Sequence, residues 1–229
     1  MIAMLSSPEF WIGLLEIIGV NILLSGDNAV VIALAARSLH GRRQKQAIIW
    51  GSAAAIVMRV ILTVFAVKLL MLPSLKIIGG LLLFWIAVKL LLPEEGGGEG
   101  IQASDQLFSA IKIIMVADLV MSLDNVIGVA AAAKGNITLL ILGLAISIPL
   151  IVFGSTLVLK LMQRFPFIIT LGAALLGYIA GELLVTDPLV VAWIELHTPF
   201  AYIVVPICGA LVVVAAGKWL SRGPTAGKA

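Results

Sequence analysis

Polar residues interrupt this chain so rarely that its hydrophobic pattern resolves into seven long runs, at residues 10–36, 47–72, 75–92, 107–133, 137–162, 167–185 and 200–220. At about 1.5 Å of rise per residue, a helix of each run reaches across a hydrocarbon core of about 30 Å, the longer ones with tilt. None of the runs alternates apolar and polar residues with period two, which argues against a barrel. The pattern predicts an all-α polytopic membrane protein of about seven transmembrane helices.

Composition sharpens that reading. Of the 229 residues, 62% are hydrophobic and 12% charged, whereas soluble domains carry about 25% charged residues. The mean hydropathy is +1.18. A net charge of +3 does not point to nucleic acid here, because the basic residues lie mainly between the apolar runs and mark orientation instead. Arg37, His40, Arg42, Arg43 and Lys45 form the densest basic cluster, so the first loop is expected inside, with the N-terminus outside and the C-terminus inside. Lys160, Arg164, Lys218, Arg222 and Lys228 fall on the expected inner side, against Lys68, Lys76 and Lys134 on the outer. The first apolar run is too long for the core of a signal peptide, so it is expected to remain as a span. The single cysteine, Cys208, excludes a disulfide framework within the chain. The expected location is a bacterial plasma membrane.

The runs are not independent. Asn21-Ile-Leu-Leu-Ser25-Gly26-Asp27-Asn28 in the first has a near-copy in the fourth, Asp118-Leu-Val-Met-Ser122-Leu-Asp124-Asn125, at an offset of 97 residues. That offset pairs Asn21 with Asp118, Ser25 with Ser122, Asp27 with Asp124 and Asn28 with Asn125. Further along, Lys68 matches Lys160 and Gly79 matches Gly172, at offsets of 92 and 93, since the second copy has a shorter loop after its first helix. Three helices per copy is an odd number, so the copies must insert in opposite directions, a plan frequent in secondary transporters. The whole chain is therefore expected to form one membrane transport domain. It comprises repeat 1 at about 9–92, a Gly-rich acidic linker at 93–105, repeat 2 at about 106–186, and a last helix at about 200–221.

A carboxylate at the centre of a spanning helix costs about 2.5–3.5 kcal/mol on insertion scales and marks function by default. Interhelical hydrogen bonds in membranes return only about 0.6 kcal/mol on average, a poor recompense if Asp27 and Asp124 served as glue. Glu16, Asp27, Asp118, Asp124 and Glu182 all fall within spans, whereas Arg59 is the one basic residue placed well inside. Either several carboxylates are protonated or a cation completes the site. Carboxylates, Asn carbonyls and Ser hydroxyls are hard oxygen donors, suited to Mg, Ca and Mn, while Zn and Cu recruit His or Cys. His40 and His197 lie outside the spans. Asp27, Asn28, Asp124 and Asn125, with Asp118 and Asn21, supply about six donors, enough for an octahedral ion. Glu16, Arg59 and Glu182 are candidates for proton relay or gating, and Arg59 is also expected to pair with one of the carboxylates. Gly beside Ser and Asn is also the composition of membrane helices that unwind to free carbonyls for an ion, although Gly serves close packing equally well. Asp187, followed by Pro188, is expected to cap a turn, and the five Trp to face lipid or its interface.

These motifs, together with Gly177-Tyr178-Ile-Ala-Gly181-Glu182 and Thr186-Asp187-Pro188, resemble the TerC family of membrane proteins over essentially the whole chain, in its short, roughly seven-helix branch. That family is associated with manganese efflux and with tellurium-ion resistance. The resemblance implies a metal-binding core of Asp27, Asn28, Asp124 and Asn125, with Asn21, Asp118 and Glu182 near it. The expected function is export of a divalent cation, Mn²⁺ preferred, coupled to protons through the titratable groups of the site. The ion is the substrate; no prosthetic group and no enzymatic activity are expected. Two alternatives stand beside this reading. One is a membrane partner that binds metal without transporting it. The other is an intramembrane aspartyl protease, suggested by two membrane aspartates and by Ser25-Gly26-Asp27, in which Ser25 replaces the first glycine of a Gly-x-Gly-Asp motif.

Overall fold

The computed structural model describes residues 8–23, 26–69, 72, 74–92, 103–133 and 136–221. These residues form nine helices: α1 Pro8–Leu23, α2 Gly26–Ala36, α3 Gly41–Leu69, α4 Leu75–Leu91, α5 Ala103–Ala133, α6 Ile137–Arg164, α7 Phe167–Val185, α8 Val191–His197 and α9 Ala201–Leu220. Five of them are long and apolar enough, by length and composition, to cross a membrane. The protein is thus an all-helical polytopic membrane protein. The first run is described as α1 and α2, with residues 24 and 25 between them outside the described residues. One feature differs from the seven runs. The polar stretch after α7 contains the short helix α8, which hydropathy alone does not reveal because Glu195 and His197 interrupt its apolar residues.

The helices gather into two compact units that each draw on both halves of the sequence. Unit 1 holds Met1–Leu70 and Leu107–Leu159, unit 2 Met71–Gln106 and Lys160–Ala229. In unit 1, α1 and α2 lie along α6. A Cβ on Gly13 would meet Leu139, one on Gly143 would meet Ile17, and one on Gly154 would meet Ala29 at 3.7 Å. The first two contacts advance together along both helices, so α1 is parallel to α6. The pairs Gly51–Ile114 and Arg59–Asp118 show that α3 and α5 are parallel as well. Helix α2 is the centre of the unit, with Val31, Ile32, Ala33, Leu34, Ala35 and Ala36 all buried. A helix that is apolar all round has no face to offer water, so it packs inside. Gln44 ties its C-terminus to the following turn, its Nε2 donating to Ala36 O at 3.1 Å and Leu39 O at 2.7 Å.

Unit 2 is a bundle of α4, α7 and α9. Small residues let its backbones touch: a Cβ on Gly177 would lie 2.6 Å from the Gly209 carbonyl oxygen, and one on Gly80 would lie 2.8 Å from that of Ala180. In lipid, where apolar surface gives helices little reason to associate, such close approach supplies the dispersion contacts that hold them. Gly177 faces Gly209 while Gly181 faces Pro206, so α7 and α9 are antiparallel. Gly209 faces Phe84 and Gly217 faces Leu91, so α9 and α4 are parallel, leaving α4 antiparallel to α7. The corner after α7 is tied down by Asp187. This wholly buried residue accepts backbone N–H groups from Ser74 at 3.0 Å, Lys76 at 3.0 Å, Ile77 at 3.2 Å and Leu189 at 2.8 Å. It caps its own turn, as the sequence suggests, and also the first turn of α4, more than a hundred residues away. Burial alone would raise its carboxyl, but the four N–H groups prevail and hold it below the ordinary carboxylate value. All five Trp are exposed on the protein surface, as the sequence leads one to expect of residues that meet lipid or its interface.

Candidate functional site

Helix α2 carries the first polar motif in its opening turn. The Asp27 carboxylate accepts the N–H of Asn28 at 2.8 Å, which orients it locally. Asn28 is only 1% exposed, and neither its Oδ1 nor its Nδ2 has a hydrogen-bond partner among the described residues. An orphaned buried amide costs about 1–3 kcal/mol, so its retention calls for an explanation such as an unseen ligand or water.

Helix α3 supplies the cation of the site. Arg59 is 1% exposed and donates through Nη2 to Asp118 Oδ1 on α5. Arginine side chains on a helix lean toward its N-terminus, and in parallel helices that brings Arg59 back to the level of Asp118. The other carboxylate oxygen, Oδ2, accepts the Ser122 hydroxyl from one turn further along α5, at 3.3 Å. Thr63 Oγ1 donates to the carbonyl of Arg59 at 2.7 Å. Asp27 lies close enough to feel the charges of both Arg59 and Asp118. The described cluster therefore holds two carboxylates against one guanidinium, with an unpartnered amide beside them.

Of the residues singled out from the sequence, Asp27, Asn28, Arg59, Asp118 and Ser122 are brought together in unit 1. Asn125 is half-buried on α5, seven residues beyond Asp118. The side chains of Asn21 and Asp124, although their backbones lie in α1 and α5, fall outside the described residues. Glu16 is exposed on α1, and Glu182 is exposed on α7 in unit 2. Among the described residues no group of three or more His, Cys, Asp and Glu is placed to share a metal ion. The sequence leaves open whether the helix unwinds at the second motif or only packs closely there. Helix α5 runs unbroken from Ala103 to Ala133, so the backbone does not unwind at Ser122–Asn125. Any ligands there must come from side chains, because an intact ladder keeps the carbonyls engaged.

Two participants escape a reading of the motifs alone. Ser52 is 1% exposed with an unpartnered Oγ among the described residues, and Thr63 is 8% exposed. Ser52, Arg59 and Thr63 are seven and four residues apart, a spacing that places them along one face of α3. That spacing is visible in the sequence once Arg59 is taken as the reference point, and it marks a polar seam.

Comparison with known proteins agrees with this architecture. Residues 6–224 match the integral membrane protein TerC family. The chain is 44% identical over 179 residues to the uncharacterized membrane protein YjbE of Bacillus subtilis, covering 78% of this chain and 82% of that protein. It is 26% identical over 218 residues to the inner membrane protein YgdQ of Escherichia coli K12, covering 88% of this chain and 89% of that protein. No solved structure matches it. Apolar helices long enough to span, and relatives described as membrane proteins over most of their length, make this an integral membrane protein consistent with a bacterial cell membrane. On the extent of that match, the chain belongs to the integral membrane protein TerC family.

Proposed function

We propose that this protein exports a hard divalent cation, Mn²⁺ by preference, in exchange for protons. The observation that carries the reading is Asn28, a buried amide whose carbonyl oxygen lacks a partner among the described residues, one position from a carboxylate in a cluster with surplus negative charge. A divalent ion held by Asp27 and Asn28 gives that oxygen a partner and balances the charge. Asp124 and Asn125, their counterparts at an offset of 97, are the second half of the ligand set. All are hard oxygen donors, matched to Mn²⁺ in preference to Zn²⁺ or Cu²⁺. Export and the choice of Mn²⁺ follow the family resemblance, and carboxylates that exchange a metal for protons supply the coupling.

Equivalent contacts in unit 1 support the inverted repeat. Ile17 packs on Gly143 and Ile114 packs on Gly51: the isoleucines are related by the offset of 97, the glycines by 92. Antiparallel α4 and α7, the third helices of the two copies, fit an inverted arrangement too. The test is cellular metal content with and without the protein, across Mn, Mg, Ca, Zn and Co, repeated for Asp27→Ala and Asp124→Ala. A selective fall in Mn that either substitution removes is the expected result. An unchanged metal profile would refute export. Mn²⁺ flux in proteoliposomes that ignores a pH gradient would refute the proton coupling alone.

A further inference from the structure

Among the described residues, every buried Ser and Thr hydroxyl has a hydrogen-bond partner except one. Thr63, Ser147 and Ser155 each donate to the carbonyl four residues back, at 2.7, 2.9 and 2.6 Å, and Ser122 donates to Asp118. Back-bonding of this kind is how a Ser or Thr satisfies itself within a helix. Ser52 is 1% exposed, yet its Oγ has no partner among the described residues. It does not bond the Ile48 carbonyl, which stands one turn earlier in α3 where the other hydroxyls find theirs. A buried hydroxyl that forgoes its local partner is costly to keep, unless another group engages it.

Helix register brings this hydroxyl to the level of the other orphan, the Asn28 amide. Helices α2 and α3 are joined by residues 37–40, a link of the length that makes an antiparallel helical hairpin. The bond from Gln44 Nε2 to Ala36 O sets the register at its closed end. Asn28 lies eight residues before Ala36, and Ser52 eight residues after Gln44. At about 1.5 Å per residue, both stand about 12 Å from that bond, at a common level of the hairpin. Positions eight apart also share one broad helix face, so Ser52 lies on the side of α3 from which Gln44 reaches α2. Two side chains, each 1% exposed and each with an open oxygen, are thus level with one another, and they do not bond each other.

We infer that Ser52 Oγ is a ligand of the cation held by Asp27 and Asn28. The inference rests on the transport reading above and extends the ligand set onto α3, a helix that carries neither Asp-Asn motif. Hydroxyl, amide carbonyl and carboxylate are all hard oxygen donors, matched to the same class of divalent ion. A neutral ligand adds a coordination position without adding charge, so the carboxylates alone continue to balance the ion. The hydroxyl at position 52 is then one of the groups that hold soft, sulfur-seeking metals at a disadvantage.

Changing the softness of this one donor tests the assignment. Ser52→Cys replaces a hard oxygen by a soft sulfur at nearly constant shape, and Ser52→Ala removes the donor. Both are made in a Cys208→Ser background, so that the introduced thiol is the only one in the chain. Mn²⁺ binding to the purified full-length proteins is followed through the electron paramagnetic resonance of free Mn²⁺. Cd²⁺ binding is followed by its competition with Mn²⁺ and by the ultraviolet absorption of a cadmium–thiolate bond, and thermal unfolding is recorded without metal. Ser52→Ala is expected to weaken Mn²⁺ binding about tenfold, which is about 1.4 kcal/mol. Its metal-free unfolding midpoint is expected to hold or rise, because an unbonded hydroxyl has been removed. Ser52→Cys is expected to lose Mn²⁺ affinity by a similar factor, to bind Cd²⁺ about tenfold more tightly or better, and to show the thiolate absorption. If Ser52 instead serves the fold through a bound water, Ser52→Ala unfolds earlier without metal and Ser52→Cys shows no such absorption, which overturns the inference. Failure of both variants to fold overturns it as well, because a ligand without structural partners is dispensable to the metal-free protein. Absence of Mn²⁺ binding by the background protein refutes the cation site and this inference with it, whereas Mn²⁺ and Cd²⁺ binding indifferent to position 52 refutes the inference alone.

Discussion

Replacing Asp187 with alanine tests whether one side chain fastens the corner of unit 2. Its carboxylate accepts four backbone N–H groups, three of them from Ser74, Lys76 and Ile77 at the start of α4. Hydrogen bonds to a charged acceptor contribute about 1.5–3 kcal/mol each. Four bonds to one group do not add, and an N-cap by itself is worth about 0.5–2 kcal/mol. A loss of about 3 kcal/mol is therefore expected, since the orphaned donors are part-buried and lose a charged acceptor. For a chain of this size each kcal/mol moves the unfolding midpoint by about 2–4 °C, so Asp187→Ala should fall by about 6–12 °C. The exposed Trp residues provide a fluorescence signal for the measurement in detergent. Because the folded carboxyl lies below its unfolded value, its stabilisation is complete above about pH 3.9 and is lost as the pH drops through the folded value. Asp187→Asn, which keeps one acceptor oxygen, should show a smaller fall, constant between about pH 5 and 8 and closing only in acid. A midpoint within about 1 °C of wild type for Asp187→Ala would refute the latch.

The other predictions concern packing and the site. Asn28→Leu removes an unpartnered buried amide, so it should raise ion-free stability by about 1–2 kcal/mol while abolishing Mn²⁺ export; a destabilised or still active variant would contradict the assignment. Gly177→Ala pushes a Cβ to 2.6 Å from the Gly209 carbonyl oxygen, and backbone cannot yield as a side-chain tip does. It should cost about 1–3 kcal/mol in thermal unfolding. Gly19→Ala, with nothing within 4 Å of the new methyl, should be neutral or slightly stabilising.

Much of this protein is legible from its sequence because a bilayer imposes one-dimensional rules. Backbone polar groups have no water to turn to in hydrocarbon, so a long apolar run becomes a helix wherever it lies. That is why helical stretches coincide with the apolar runs, and why Asp27, Asn28, Asp118 and Arg59 stand out as costly exceptions before any coordinates are known. Arg59 is likewise marked in advance as a partner for a carboxylate, since a lone guanidinium within a span has few other ways to be neutralised.

What the sequence leaves open is set by contacts between distant residues. The pairing of Arg59 with Asp118 depends on α3 and α5 being parallel and at a common level, which residue spacing along one helix does not encode. The unbroken α5 beneath the second motif is another such case: Gly, Ser and Asn lower the cost of unwinding, but packing decides whether that cost is met. Asp187 looks like an ordinary turn cap until α7 and α4 are set antiparallel and its carboxylate reaches the first turn of α4. Sequence alone determines that the long apolar segments are helical and which polar groups are expensive, because hydropathy and periodicity are local. Only the tertiary structure decides which of those groups satisfy one another and which, like the Asn28 amide, are left unpartnered among the described residues, because that depends on the relative placement of helices far apart in the chain.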